Sequence, residues 1–268
     1  MVTASIGACS TCLVAVSRGS GRLNLHTVVQ REPRAHSSEQ SLRAAHVDLE
    51  MTPAKFEGIA SERMPEAKKA VYVSCPDQCV GTLAALHGAS DFCRSDLKAV
   101  PSQNRVILVM ESPHKAEFEN GMPIGPANGP TGVNIRNLLR QVLLSVVPVS
   151  ENSQLVLMNA VQYQCSLGES TKIHRDAVFQ EVWRQGGKDD FRKRLSGIFS
   201  CERGDLVINA CTRGNSRESL RDMVKEVIDG VVGEHWRTAH PYSWKLPVRT
   251  KAVRQPRIEA PDSSDHLS

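Results

Sequence analysis

Short apolar runs alternate with longer segments of helical periodicity from residue 104 onward. The short runs predict buried strands, because they have strand length and are bounded by polar or turn-forming residues. Strands are predicted at residues 106–110, 155–158 and 206–208, with a final strand end at 236–240, and helices at 133–146, 176–199 and 219–232. This alternation is typical of an α/β fold, a three-layer α/β/α architecture with a central, mainly parallel sheet.

The same pattern divides the chain into parts. The first fifty residues show no sustained period, which predicts poor order. The segment after them is partly helical, with an apolar piece at residues 80–86, and Gly186 and Gly187 are expected to break the helix at 176–199. The predicted parts are an N-terminal extension (1–50), a partly helical segment (51–103), the main domain (104–257) and a flexible tail (258–268).

Composition is ordinary for a globular domain, with 40% hydrophobic and 23% charged residues in 268. No apolar run approaches the ~18 residues that a membrane helix needs, and residues 1–22 lack a secretory signal. We therefore expect a cytoplasmic protein without a membrane partner, and a monomer. In such a compartment most of the eight cysteines are expected to be free thiols: Cys9, Cys12, Cys75, Cys79, Cys93, Cys165, Cys201 and Cys211.

The formal net charge of +4 permits nucleic-acid binding without indicating it. The distribution is more informative, because basic residues crowd toward the C-terminal end. Arg237, Lys245 and Arg249 belong to this stretch and could contact phosphates. A solvated basic tail is the alternative interpretation.

Polar residues follow the predicted strands at four places. Ligands of open α/β sheets bind outside the carboxyl ends of the strands, so these residues are the candidates for chemistry. The four places are Glu111-Ser112-Pro113-His114, the loop at 120–132, Asn159, and His240-Pro241-Tyr242-Ser243.

The order and spacing of these places resemble the uracil-DNA glycosylase superfamily. Residues 111–114 are similar to that family's strand-end motif of the Gly-Glu-Ala-Pro-Gly or Gly-Gln-Asp-Pro-Tyr-His type, and the loop at 120–132 to its Gly-Arg-Pro-Phe-x-Gly loop. Asn159 matches the strand-terminal Asn, and residues 240–243 match the closing His-Pro-Ser motif. The resemblance covers about residues 104–247. It implies a uracil-DNA glycosylase-like fold and an enzyme that flips a base out of DNA, hydrolyses its N-glycosidic bond and leaves an abasic site.

Base excision leaves an oxocarbenium-like sugar and a negatively charged base, and the resemblance implies residues for both. His240 would donate to a carbonyl oxygen of the leaving base, although it could instead be a capping histidine. Asn159 would offer a donor and an acceptor to the edge of the flipped base, or could merely stabilise a loop. Pro113 and Ser243 are expected beside the base.

One departure from the family pattern concerns the water nucleophile. Ser112 occupies the position of the catalytic Asp in the most active uracil enzymes, so either Glu111 or Ser112 must position the water. Glu111 is the only carboxylate of the motif and is the predicted water-orienting or charge-stabilising group, with a structural loop anchor as the alternative. Ser112 lacks the flanking glycines of a hydrolase nucleophile elbow, which disfavours that role.

Two further departures bear on the substrate. His114 replaces a Tyr that lies where a pyrimidine 5-substituent would go, and Ile124 replaces the aromatic residue that stacks on the base. A roomier pocket is expected, and with it a pyrimidine that carries a large 5-substituent. Hydroxymethylated or glucosylated cytosine of phage DNA is the hypothesis, which would make the protein an antiviral defence enzyme. A uracil-DNA glycosylase of base-excision repair and a non-catalytic sensor of modified DNA are the alternatives.

DNA-backbone contacts are predicted for Lys115 and Arg136 as well as for the three C-terminal basic residues. No cofactor or metal is expected. An iron–sulfur cluster is disfavoured because Cys9 and Cys12 lie too far from the first motif. Zinc is disfavoured because Cys75, Cys79, His87 and Cys93 depart from the usual ligand spacing.

Overall fold

A computed structural model of the chain describes residues 50–63, 70–97, 103–143 and 149–244. In these ranges the strands are β1 (Gln78–Thr82), β2 (Ser95–Asp96), β3 (Arg105–Met110), β4 (Phe118–Glu119), β5 (Met122–Pro123), β6 (Gln154–Asn159), β7 (Leu206–Asn209) and β8 (Trp236–Arg237). The helices are α1 (Pro53–Arg63), α2 (Leu83–Leu86), α3 (Pro130–Leu143), α4 (Arg175–Val182), α5 (Lys188–Ile198) and α6 (Leu220–Val232).

Six strands form one mixed sheet in the order β2-β1-β6-β3-β7-β8, while β4 and β5 pair in a separate small ribbon. The pairs β6–β3, β3–β7 and β7–β8 are parallel, and β1 is antiparallel to both β2 and β6. Met110 lies opposite Asn159, and Val109 lies opposite Asn209. The carboxyl ends of three central strands therefore meet at one edge of the sheet. The predicted mainly parallel α/β sheet is confirmed.

Alternate residues of β3 point to opposite faces, because successive side chains of a strand alternate. Ile107 and Val109 pack in a buried cluster with residues of α1, α4, α5 and α6. Leu108 and Met110 pack in a second buried cluster with residues of α2 and α3. Helices therefore cover both faces of the sheet.

Helix boundaries follow local sequence signals. Gly186 adopts φ +123°, a conformation that favours glycine, and the helical path is interrupted there between α4 and α5. The predicted break is thereby confirmed. The predicted helix at 133–146 begins earlier, at Pro130, and residues 144–148 lie outside the described residues. A Cβ at Gly132 would lie 1.9 Å from the carbonyl oxygen of Ala127, so glycine permits this helix start to pack against its own loop.

The segment before residue 104 differs from the prediction. The apolar piece at 80–86 is half strand and half helix, because it contains the end of β1 and all of α2. Such short strands carry little periodicity, so β1 and β2 were not predicted. The final strand is also shorter than predicted, since β8 ends at Arg237. The predicted extension (1–50, apart from residue 50) and the predicted tail lie outside the described residues.

Within the described ranges, no helix combines the length and the apolar character that crossing a membrane requires.

Candidate active site

A cavity of about 850 Å³ opens at the edge of the sheet where β3 and β7 end. Its wall combines the strand-end motif (residues 111–114), the closing motif (residues 240–243) and two loops that the sequence did not single out, at residues 166–171 and 212–213. The described lining residues are Met110, Glu111, Ser112, Pro113, His114, Lys115, Glu117, Asn128, Pro130, Thr131, Ser166, Gly168, Glu169, Ser170, Thr171, Arg175, Thr212, Arg213, Arg221, Ala239, His240, Tyr242 and Ser243.

Glu111 follows β3 directly and is only 6% exposed. One carboxylate oxygen, Oε2, accepts a hydrogen bond of 3.2 Å from the backbone N–H of Thr212 and lies 3.6 Å from Nε2 of His240. The other, Oε1, lies 3.6 Å from a guanidinium nitrogen of Arg175. Three separate segments of the chain therefore hold this carboxylate at the cavity wall.

His240 caps the short 3₁₀ helix Pro241–Ser243. Its Nδ1 accepts a hydrogen bond of 3.2 Å from the backbone N–H of Tyr242, so a neutral ring carries its proton on Nε2. That nitrogen is the one that faces Glu111. Asn134 of α3 anchors the turn by donating to the carbonyl oxygen of Pro241 at 2.9 Å, and the Ser243 hydroxyl donates to the carbonyl oxygen of His240 at 2.7 Å.

Asn159 ends β6 but lies behind the cavity rather than in its described wall. Its side chain is 1% exposed, and its Nδ2 donates to Oε2 of Glu117 at 3.2 Å. Its Oδ1 is buried without a hydrogen-bond partner in the described part of the chain. The predicted base-reading amide is thus separated from the cavity by a carboxyl group.

Glu117 is that carboxyl group, and sequence reasoning missed it. The residue ends the 3₁₀ turn Lys115–Glu117, is 4% exposed and lines the cavity. Burial raises the pKa of Glu117 to about 8, although the backbone N–H groups of His114 and Ala127 and the Asn159 amide favour the charged form. The sequence held one weak signal, which is that Glu117 lies only six residues beyond Glu111.

The other residues of the strand-end motif lie where the sequence predicted. Ser112 lines the cavity and is hydrogen-bonded to the buried thiol of Cys165. Pro113 is buried in the wall, while His114 and Lys115 are exposed at its edge. The Nδ1 of His114 accepts the backbone N–H of Ala116 at 3.2 Å, so this ring caps the following turn.

Several predicted residues lie away from the cavity. Ile124 is not among the described lining residues, and its backbone N–H donates to the Glu117 carbonyl oxygen at 2.8 Å. The guanidinium of Arg136 lies over the Phe92 ring at 4.9 Å from the centroid, and Arg136 is not among the described lining residues. Arg237 lies in β8 and is also outside the described lining, whereas Lys245 and Arg249 fall outside the described residues.

Three arginines that the sequence did not indicate line the cavity instead. Arg175, at the start of α4, is 9% exposed and also pairs with Asp176 at 2.9 Å. Arg221 donates to the carbonyl oxygen of Cys211 at 2.8 Å, and burial lowers its pKa. Arg213 is exposed beside them. Helices and loops after β6 and β7 supply these cations, so no local motif connects them with Glu111.

No protein-family model matches the chain, and no curated protein or solved structure matches it at a significant level.

Two buried thiols of the described chain make ordinary hydrogen bonds. Cys75 donates to Oε2 of Glu117 at 3.8 Å, and Cys79 donates to Oε1 of Gln154 at 3.2 Å. Within the ranges that the structure covers, no group of three or more His, Cys, Asp and Glu side chains is arranged to hold a metal ion. Cys9 and Cys12 lie outside the described residues.

Proposed function

We propose that the protein is a DNA glycosylase that hydrolyses the N-glycosidic bond of a flipped pyrimidine base. The observation that carries this proposal is the convergence of Glu111 and His240, 3.6 Å apart, on the wall of a cavity at the carboxyl ends of parallel strands. Glu111 is the only carboxylate of the strand-end motif and is the predicted group for the water and the sugar, and the resemblance assigns His240 to the base. They come from chain segments more than a hundred residues apart.

The proposed mechanism begins with the extrusion of one nucleotide into the cavity. The bond between the sugar and the base breaks with positive charge developing on the sugar and negative charge on the base. The Glu111 carboxylate lies where it can stabilise the sugar and orient a water toward it. Arg175 and the Thr212 N–H hold that carboxylate in position, which limits reorganisation during the reaction.

His240 is the proposed donor to the leaving base. Its Nε2 carries the proton in the neutral ring, because Nδ1 is occupied by the Tyr242 N–H. A hydrogen bond from Nε2 to a carbonyl oxygen of the base would strengthen as negative charge accumulates there. The side chain is 21% exposed, so a base can reach it from the cavity.

Groups at the mouth of the cavity suit the rest of the nucleic acid. Lys115 and Arg213 are exposed and line the cavity, and cations in such places bind phosphates. Tyr242 is 66% exposed and presents a ring on which a neighbouring base can stack. These residues, rather than Arg136, are the proposed contacts to the DNA strand.

The proposed base is a cytosine with a polar 5-substituent. The cavity volume is near the upper end of the ~300–1,000 Å³ range of ligand pockets, which favours a base larger than uracil. One wall carries Ser166, Glu169, Ser170 and Thr171, whose hydroxyl and carboxylate groups suit a hydroxylated substituent. Hydroxymethylated and glucosylated cytosines of phage DNA fit this description, so defence against phages in the cytoplasm is the proposed role.

A panel of DNAs tests the proposal. Duplexes that contain uracil, hypoxanthine, 5-hydroxymethylcytosine or its glucosylated form are incubated with the protein, and released bases are identified by mass spectrometry. Release of a modified cytosine together with alkali-labile abasic sites is the expected result. Release of uracil alone would indicate a repair enzyme instead. Tight binding to one of these DNAs without any released base would contradict an enzymatic function and indicate a sensor.

A further inference from the structure

We infer that Glu117 is a second catalytic residue, a carboxylic acid that gives its proton to the unprotonated ring nitrogen N3 of a cytosine-type base as that base leaves. This inference rests on the proposed function and deepens it, because it names the class of base. Such a base is a pyrimidine with an amino group at position 4 and no proton on N3.

The position of Glu117 supports this role. Its side chain lines the cavity and is almost completely buried, so it can contact a flipped base but scarcely contacts solvent. Asn159, at the end of a central strand, donates to its Oε2 at 3.2 Å. The Cys75 thiol lies 3.8 Å from the same oxygen. Two buried groups behind the carboxyl therefore hold it in the wall.

The surroundings keep the proton on Glu117 at neutral pH. Its pKa of about 8 leaves roughly ten protonated carboxyl groups for each ionised one at pH 7. The charged or titratable groups behind it are Arg94, whose positive charge lowers this pKa, and Cys75, whose own pKa burial raises. On the cavity side Glu111, His114 and Lys115 share the wall.

A neutral carboxyl group matches the edge of cytosine. Oε2 accepts from Asn159 and Cys75 and acts as the carbonyl oxygen, so the other oxygen carries the O–H that can donate to N3. Uracil carries a hydrogen on N3, so the acid has no basic ring nitrogen to protonate there. The same carboxyl would therefore assist departure of the amino-bearing base and not that of the oxo-bearing base.

The proton and electron movements balance. The bond from the sugar carbon C1′ to N1 of the base breaks, and its electron pair goes to the base. The Glu117 proton moves to N3, so the base leaves neutral. Water forms a new bond to C1′ and gives a proton to Glu111, while Glu117 remains as a carboxylate. Exchange with solvent after product release restores both groups.

The test compares two bases that carry the same 5-substituent, the cytosine derivative and its deaminated uracil counterpart, under single-turnover conditions. We expect Glu117→Gln to slow release of the cytosine derivative by about 100-fold or more at pH 7, the contribution typical of a general acid. The uracil counterpart should change less than about threefold, and Glu119→Gln, an exposed position two residues away, should change neither. In the wild type, release of the cytosine derivative should fall tenfold per pH unit above about pH 8, and this limb should vanish in Glu117→Gln.

A substrate analogue repeats the test without changing the protein. A 3-deaza derivative of the cytosine has C–H in place of N3 and cannot take the proton, so the wild type should not release it at a measurable rate. Equal slowing of both bases by Glu117→Gln, an unchanged rate in that variant, or normal release of the 3-deaza base would each overturn the inference and leave the glycosylase proposal standing. Failure of the wild type to release any base would overturn both.

Discussion

Glu111 and Glu117 line the same cavity from one loop, yet their surroundings are opposite in kind. Glu111 lies 3.6 Å from the guanidinium of Arg175 and faces His240. Glu117 contacts an amide and a thiol, and its burial outweighs the attraction of Arg94. The comparison teaches that the environment divides two identical side chains into a charge-bearing and a proton-bearing group.

The largest expected effect is that of Glu111→Gln on the rate of base release. Glu111→Gln keeps the shape of the side chain but removes its negative charge, so the developing positive sugar loses its stabilising partner. We expect single-turnover base release to fall by about 1,000-fold, within the range for such groups. Glu202→Gln, at an exposed position outside the described lining, is the control and should retain the wild-type rate. A loss smaller than about threefold would remove Glu111 from the mechanism.

The next effect is on the free energy of unfolding, and it tests the raised pKa of Glu117 without any substrate. A raised pKa means that the folded protein holds the Glu117 proton more tightly than the unfolded chain does. This stabilisation is complete below about pH 4, and it is lost as the pH rises toward 8, the folded pKa of Glu117. The free energy of unfolding of the wild type relative to Glu117→Gln should therefore fall by about 3–4 kcal/mol between pH 5 and pH 8.

Urea unfolding at both pH values measures this difference, and Glu119→Gln provides the control. A constant difference between wild type and Glu117→Gln across this range would mean that Glu117 titrates normally.

The smallest effect concerns the partner of Glu111. The amide of His240→Gln can replace the Nε2 donor, whereas His240→Asn can replace only the Nδ1 acceptor that caps the Tyr242 N–H. We expect His240→Asn to slow base release by about 100-fold, as for loss of one donor to a developing charge, and His240→Gln to be less affected. The reverse order, measured in the same single-turnover assay, would assign His240 to structure rather than to the leaving base.

Much of the fold could be predicted from the sequence. The apolar runs that became β3, β6 and β7 are strands because their side chains are buried on both faces, and such runs are recognisable without knowledge of their neighbours. The two glycines at positions 186 and 187 likewise indicated the break of the helix at Gly186. The short strands β1 and β2 carry no comparable pattern, since pairing with a neighbouring strand, β1 with β6 and β2 with β1, rather than their own composition stabilises them.

The candidate site could be predicted from the sequence only in part. Glu111 and His240 follow predicted strand ends, and parallel strands bring such ends together, so their meeting could be anticipated. Asn159 also ends a strand, but the loop after β3 folds back and inserts Glu117 between this amide and the cavity. No local periodicity encodes that insertion.

The sequence by itself determined which segments are buried strands and helices, and it marked two of the groups that meet at the edge of the sheet. Only the tertiary structure decided that Glu117 is dehydrated, that Arg175 lies beside Glu111, and that Arg136 turns toward Phe92 instead of the cavity. The physical reason is the range of the forces. Periodicity reports burial one element at a time, whereas desolvation and charge pairing depend on side chains that other elements deliver to the same place.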